Sequence, residues 1–528
     1  MFTSTQHRYR KYIILLLVTL ALLVTGCSQP PKRLETSKTK ASATAIKQTS
    51  ELPTPRAYTT TPAVTGTPTA TPAPISPLGV DIDTLQNTRI QFWHIWPGAA
   101  GEAVDQIIEE FNTKNELGIQ VQAEYQGNLD ENFSNVHSAI EINSPPDVVV
   151  GYLYQALDWD AEWEVVDLND YVDDPVWGLS QEEQDDFYPS FWEHDQFDGK
   201  RIGVPAQRSG QVLYYNATWR EELGFSEPPA TPEEFRGQAC AAAQANLDDD
   251  DPDNNGTGGW IISTDYSAVL GWLYAFGAEV APVSGSAPGV SAYEFDVQQV
   301  EDTFTYLRDL YDEGCAWLSD NQYPNEDFAN RRGLFAADSV TGIPHQRAAF
   351  EQAGNSDQWT IIPFPSPEGD PKTSVYGPSF EILTSTPREQ LASWLFTKWL
   401  ISPQNQARLI EVTNTYPLRS GVLERLEELG GPSPQWTAAT KLLTDAQSEP
   451  PLHSWIIVRW AVRDAATQLF RFYFTIDSVP ELVSFLHQTA NDLHKDPLVD
   501  SSIKTPTPTA TSTFTATPTD VPEATPTP

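Results

Sequence analysis

Between Arg89 and Gly151 the hydrophobic period switches repeatedly between that of a strand and that of a helix. No other feature of the chain restricts its fold as much. Arg89-Ile90-Gln91-Phe92-Trp93-His94-Ile95-Trp96 reads as a strand that breaks at Pro97-Gly98. Val104, Ile107, Ile108 and Phe111 then recur at the spacing of one helix face within Glu102 to Asn112. Ile119 to Ala123 alternates as a second strand, a helix is expected around Phe133 to Ile140, and Val148-Val149-Val150-Gly151 follows the Pro145-Pro146 turn as a buried strand. Strands alternating with helices require crossovers, and crossovers impose a mostly parallel sheet.

The ends of the chain bound the folded part. From Ser28 to about Leu85 the composition shifts to Thr, Pro, Ala and Ser, and from Thr505 the chain repeats Thr-Pro and Ala-Thr-Pro. Such segments cannot bury enough apolar area to offset chain entropy. Residues 27–85 are therefore read as a disordered tether and residues 504–528 as a disordered tail, leaving a body of about residues 86–503. A formal charge of −40 argues against nucleic acid as a partner, because phosphate neutralisation needs clustered Lys and Arg.

Arg8, Arg10 and Lys11 precede an apolar run from Ile13 to Val24, too short for an ordinary spanning helix, and the run ends in Val24-Thr25-Gly26-Cys27. This resembles a bacterial lipobox, which implies a signal peptide over residues 1–26, cleavage before Cys27 and lipid on its sulfur. An uncleaved anchor, the alternative, also places the body outside the cytoplasm. The two other cysteines, Cys240 and Cys315, are an even pair in an oxidising compartment: a disulfide, or two separate buried thiols.

A second stretch carries a family resemblance. Asp198-Gly199-Lys200-Arg201-Ile202-Gly203-Val204-Pro205 is a turn into an extended run that ends at Tyr214-Tyr215-Asn216. Pro228-Pro229-Ala230-Thr231-Pro232-Glu233-Glu234-Phe235 then starts a helix, with Thr231 as cap, Pro232 at its first position and Glu234 three residues beyond the cap. This order resembles the middle of family 1 extracellular solute-binding proteins, the maltose-binding-protein-like receptors of ABC importers. Phe92-Trp93-His94, Pro146-Asp147-Val148-Val149, Ser402-Pro403-Gln404-Asn405-Gln406 and Pro417-Leu418-Arg419 are similar to further landmarks of that family, so the resemblance spans residues 89 to 495.

The resemblance implies an α/β, two-lobed, periplasmic-binding-protein-like fold whose lobes are joined by multiple crossover segments around a ligand cleft. Lobe 1 is expected over 86–207 and 363–402, and lobe 2 over 208–362 and 403–503. Loops at the carboxyl ends of the strands then supply the cleft. Trp96 is the stacking candidate, a core Trp being the alternative. Tyr152, Tyr154 and Gln155 follow the third strand and can offer hydroxyl and amide partners. Arg208 lies at the crossover, where it binds a ligand or braces the hinge as an ion pair. Tyr266, Ser339, Thr341 and Tyr376 occupy loops aligned with ligand loops of the family. Where relatives place a helix aromatic in the cleft, this chain has Arg459, with Trp455 one turn earlier.

Asp251, Asp253, Asn255, Gly256 and Thr257 resemble the start of a Ca²⁺ loop, but Ile262 stands where the closing Glu belongs. The loop is a structural Ca²⁺ site completed elsewhere, or a solvated acidic loop. No other cofactor is required. Histidines are scattered without zinc spacing, no nucleophile or phosphate-loop motif occurs, and Glu193 with Asp195 is the kind of acidic pair that 72 acidic residues produce by chance. The expected function is therefore that of a monomeric, non-enzymatic, lipid-anchored receptor of an ABC importer. It captures a sugar or oligosaccharide by lobe closure and hands it to the permease. A receptor for a polyol phosphate or peptide is the alternative, with a surface glycoside hydrolase behind it.

Overall fold

In the first of two large sheets, strand Arg89–His94 lies parallel to both Gln120–Tyr125 and Val148–Gly151. Phe92 sits opposite both Ala123 and Val148. Residues of Val148–Gly151 are buried on both faces, as a parallel strand covered by helices must be. Helix Gly98–Lys114 turns Val104, Ile107, Ile108 and Phe111 inward, and helix Leu129–Glu141 starts on an Asn128/Glu131 capping box. Ser379–Ile382 and then Val204–Pro205 complete this sheet in antiparallel sense. These observations come from a computed structural model that describes residues 75–282, 293–321 and 323–495. Residues 1–26, Cys27 and the tail 504–528 lie outside the described residues, but the expected tether 27–85 gives way to folded chain before its end: Ile82–Leu85 is a short 3-10 helix with Leu85 fully buried in the first-lobe core.

The second sheet is built on Ser209–Asn216, a wholly buried strand. Gly333–Ser339 pairs along one of its edges, and Trp359–Ile362 and Thr373–Tyr376 share the other. Beyond Gly333–Ser339 come Gly258–Ile261 and Ala316–Trp317, and Ala446–Ser448 closes the far side. Helices Pro232–Asp248, Tyr266–Ala275, Gln298–Asp312, Trp455–Leu469 and Val479–Lys495 cover it. Thr231 and Glu234 form the expected capping box. Cys240 and Cys315 are joined as a disulfide, with their Cα atoms 4.4 Å apart.

The chain passes between the sheets at Ala206–Arg208 and again at Gly377–Pro378. These crossings touch. Gly377 has φ +152°, and a Cβ there would lie 2.2 Å from the Gln207 carbonyl oxygen, so only glycine lets the two segments meet. A third pass follows later than residue 403, the boundary expected from the sequence. Helix Pro403–Thr413 packs on Gly98–Lys114 of the first lobe through Ala407, Leu409 and Ile410. Helix Pro434–Thr440, further on, packs on the second sheet against Trp359–Ile362. Between them the Tyr416 amide donates to the Arg208 carbonyl at 2.7 Å, so the third segment touches the first crossing. Among the described residues no helix is long and apolar enough to cross a membrane.

Candidate functional site

Several of the residues expected at the cleft meet where the two lobes face each other. From the first, Tyr152 and Tyr154 open helix Leu153–Glu162 directly after the third strand, and their rings stack at 5.1 Å. From the second, Tyr266 opens helix Tyr266–Ala275, and Arg459 lies one turn into helix Trp455–Leu469. The Arg459 guanidinium bridges the lobes. It donates to the Tyr154 hydroxyl and, at 3.5 Å, to that of Tyr266. It also lies 4.8 Å from the Tyr154 ring centre, 5.5 Å from that of Tyr266 and 4.9 Å from that of Trp460, a cation held by aromatic faces. Deeper in, Gln211 donates to Ser267 Oγ at 2.8 Å and to the Tyr376 hydroxyl at 3.3 Å.

Burial pushes the phenols of Tyr152, Tyr154, Tyr266 and Tyr376 well above the usual tyrosine range, so they remain neutral donors at pH 7. Beside them lies Glu449, which follows strand Ala446–Ser448. Burial pushes its carboxyl up to about 7 against the pull of Arg459. Trp455 donates its indole N–H to Glu449 Oε2 at 3.2 Å. The cluster is thus aromatic, with one guanidinium, one buried carboxyl and several hydroxyls. That set can stack on apolar faces and exchange hydrogen bonds with polar edges, and nothing in it constitutes an activated nucleophile.

Not every expected residue faces this space. Trp96 packs into the first-lobe core, 6.3 Å from Phe92 and 6.0 Å from Phe380, and is only 4% exposed. Trp455 is fully buried among second-lobe residues and reaches the cleft only through its indole N–H. Gln155 is used in capping: its Oε1 accepts from the Tyr152 amide at 2.9 Å. Arg208 is the hinge brace. It donates to both Asp195 oxygens at 2.9 and 3.0 Å and to the Pro378 carbonyl at 2.6 Å. Ser339 and Thr341 bond each other at 2.7 Å, and Ser339 lies opposite Gln211 across the sheet, which places them beside the Tyr376 end of the cleft.

In the acidic loop, several of the candidate Ca²⁺ oxygens take part in hydrogen bonds within the protein. Asp251 accepts from the Asp253 amide at 3.0 Å, while Thr257 donates to the Asn254 carbonyl at 2.6 Å and accepts from Asn246 at 3.1 Å. These bonds order the loop within itself. Among the described residues, the only three metal-capable groups that converge are Cys240, Glu313 and Cys315, and those two sulfurs are already bonded to each other.

Sequence reasoning missed a second bridge between the lobes. Asp158, on helix Leu153–Glu162, meets His453 Nε2 at 2.6 Å and His137 Nε2 at 2.9 Å, and His137 Nδ1 meets Glu162 at 2.8 Å. Burial raises the Asp158 carboxyl, but the two imidazoles outweigh it and hold it at about 2. His137 is held above its ordinary value because Asp158 and Glu162 outweigh its burial. Stability from the histidine is present below about pH 6.5 and lost as pH rises through its higher folded pKa; stability from the aspartate is present above about pH 4 and lost toward pH 2. The bridge therefore stabilises most between those limits, on the order of 2 kcal/mol. Melting temperatures at pH 3, 5.5 and 9 are expected to peak at 5.5. Asp158→Asn should flatten the profile, and an unchanged profile would show that the cluster does not couple the lobes.

The comparisons agree with this architecture. A crystal structure of the cyclic α-maltosyl-1,6-maltose binding protein from Arthrobacter globiformis superposes with a TM-score of 0.64 at 18% identity, over 78% of this chain and 99% of that one. The sugar-binding protein MalE from Xanthomonas citri gives 0.65 at 19% identity, over 77% and 97%. UgpB from Mycobacterium tuberculosis, in complex with glycerophosphocholine, gives 0.60 at 16% identity, over 77% and 99%. No curated protein sequence matches the chain. The family profile described as bacterial extracellular solute-binding protein matches residues 106–444, which takes in most of both lobes and the crossings between them. That match spans more than half of the sequence, and the chain belongs to the bacterial extracellular solute-binding proteins.

Proposed function

We propose that this chain is the extracytoplasmic receptor of an ABC importer, and that it captures a sugar or oligosaccharide by closing its two lobes. The observation that carries the reading is the Tyr152–Tyr154 pair of one lobe meeting Arg459 and Tyr266 of the other. Flat rings present apolar faces to a pyranose, and neutral phenols, Gln211 and Arg459 present donors to its hydroxyls. A solute touched from both sides favours the closed state because only that state supplies both sets of contacts. The permease reads the closed form. Signal peptide 1–26 is removed, and lipid on Cys27 tethers the monomeric body through the Thr/Pro-rich segment; several acyl chains hold it, since one binds only marginally. The chemistry is reversible binding, with no covalent step and no metal.

Two of the similar structures have sugar-binding names and support this reading, while the glycerophosphocholine complex supports a phosphodiester as the second one. Trp fluorescence of the full chain, titrated with mono- and oligosaccharides and with glycerophosphodiesters, separates them. A saturable response to a saccharide is expected, weakened about tenfold in Tyr154→Ala, which removes one stacking face and one bond to Arg459. A response to the phosphodiester alone would replace the sugar reading with the second one.

A further inference from the structure

Two groups in the cleft are left unsatisfied by the protein itself, and they are of opposite kinds. Arg459 is 7% exposed; it directs one terminal nitrogen to two phenols, while its Nε is buried without a partner. Glu449 is 4% exposed; its Oε2 accepts from Trp455, while its Oε1 is buried without a partner. The Tyr266 ring connects them: it lies 6.1 Å from the Trp455 ring whose N–H bonds Glu449 and 5.5 Å from the Arg459 guanidinium. Asp265 and Arg208 also face Glu449, with opposite effects on its charge.

A buried donor and a buried acceptor left open are costly, and a structure that keeps both is prepared for a ligand that closes both. A hydroxyl both donates and accepts. A carboxylate or phosphate would satisfy Arg459 but meet Glu449 as like charge. An ammonium would satisfy Glu449 but meet Arg459 in the same way. Building on the receptor reading above, we infer that Glu449 and Arg459 form a charge-balanced pair that makes the cleft select uncharged, polyhydroxylated ligands over their acidic and amino counterparts. Glu449 is then a specificity-determining residue, and selection works by repulsion of the wrong charge as much as by attraction of the right ligand.

The test uses the full chain and three matched sugar series: glucose and galactose with their oligomers, the corresponding uronates, and the corresponding hexosamines. Calorimetry should show the neutral series bound at least about tenfold more tightly than either charged one. Glu449→Gln should move the preference toward the uronates, and Arg459→Gln toward the hexosamines. A residue of merely structural importance would weaken all three series alike. A ligand-free measurement runs beside it, because Glu449 contacts the Trp455 indole and its titration is readable in Trp fluorescence. The transition should lie near neutral pH and move upward in Arg459→Gln. Equal affinities, a preference for a charged series, or no shift in Arg459→Gln each overturn the pair. Failure of all three series to bind while the fluorescence shift persists would overturn the sugar reading on which the hydroxyl assignment rests.

Discussion

Asp195→Ala is expected to cost about 3–5 kcal/mol of folding stability, because it leaves the Arg208 guanidinium buried at the hinge without its counter-charge. Both side chains are 1% exposed. Arg208 donates to both Asp195 oxygens, and Asp195 also accepts from Ser379 Oγ at 2.7 Å and contacts His194 Nδ1 at 3.3 Å. These partners outweigh burial and hold the Asp195 carboxyl below the usual range, so its contribution is present above about pH 4 and lost in acid. Glu381 stands nearby in the opposite condition. Burial first, and then the Asp195 charge, push it well above the usual range, so it is a neutral acid. The two carboxyls share one negative charge between them, and it resides on Asp195.

That division provides an internal control. Both substitutions remove the repulsion that adds to burial in holding Glu381 protonated, so Glu381 can ionise more readily toward Arg208 in either. Asp195→Asn, whose amide oxygen still accepts from Arg208, should lose less than Asp195→Ala, and adding Glu381→Gln to Asp195→Asn should deepen its loss. Urea unfolding read at pH 7 measures all three variants, with a changed midpoint at constant slope marking a stability effect. If the double variant is no less stable than Asp195→Asn, Glu381 does not share in the hinge charge. Arg208 also bonds the returning crossover through Pro378 and Ser379, so the same variants should alter the closing motion along with stability.

Much of this architecture was legible in the sequence. The strands at Arg89–His94 and Val148–Gly151, the helix face of Val104, Ile107, Ile108 and Phe111, and the Thr231 cap all announce themselves by period or by local chemistry. The candidate site was legible in part. Tyr152, Tyr154, Tyr266 and Tyr376 stand at element ends and Arg459 one turn into its helix, and the fold brings Tyr154, Tyr266 and Arg459 into contact. Trp96 stands at such an end too, yet its ring folds back onto Phe92 and Phe380, because residue position fixes the Cα and leaves open which side of the strand an indole covers. Glu449 leaves no periodic trace: an acid before Pro450-Pro451 reads as loop, and only packing makes it buried. His453 and Asp158 are 295 residues apart, a separation that no local pattern spans.

Removal of the disulfide should have the other large effect. Cys240 lies on helix Pro232–Asp248 and Cys315 immediately precedes strand Ala316–Trp317, at a separation of 75 residues. Closing a loop of that length reduces the entropy of the unfolded chain by an amount corresponding to about 4 kcal/mol. The enclosed segment contains Gly258–Ile261 and the Tyr266 helix, so the bond supports one wall of the cleft from behind. Its native surroundings are tight: the Trp260 amide donates to the Cys315 carbonyl at 2.9 Å, and a Cβ on Gly259 would lie 1.9 Å from that oxygen. The backbone there is therefore already placed, and the link acts mainly on the unfolded state. Cys240→Ser/Cys315→Ser is expected to lower the melting temperature by roughly 5–10 °C and to abolish sensitivity to reductant. Ligand affinity at 25 °C should change by less than about threefold, because the cleft contacts themselves are intact. A melting temperature unaffected by either the double variant or reductant would mean that the unfolded chain is no more restricted with the bond than without it.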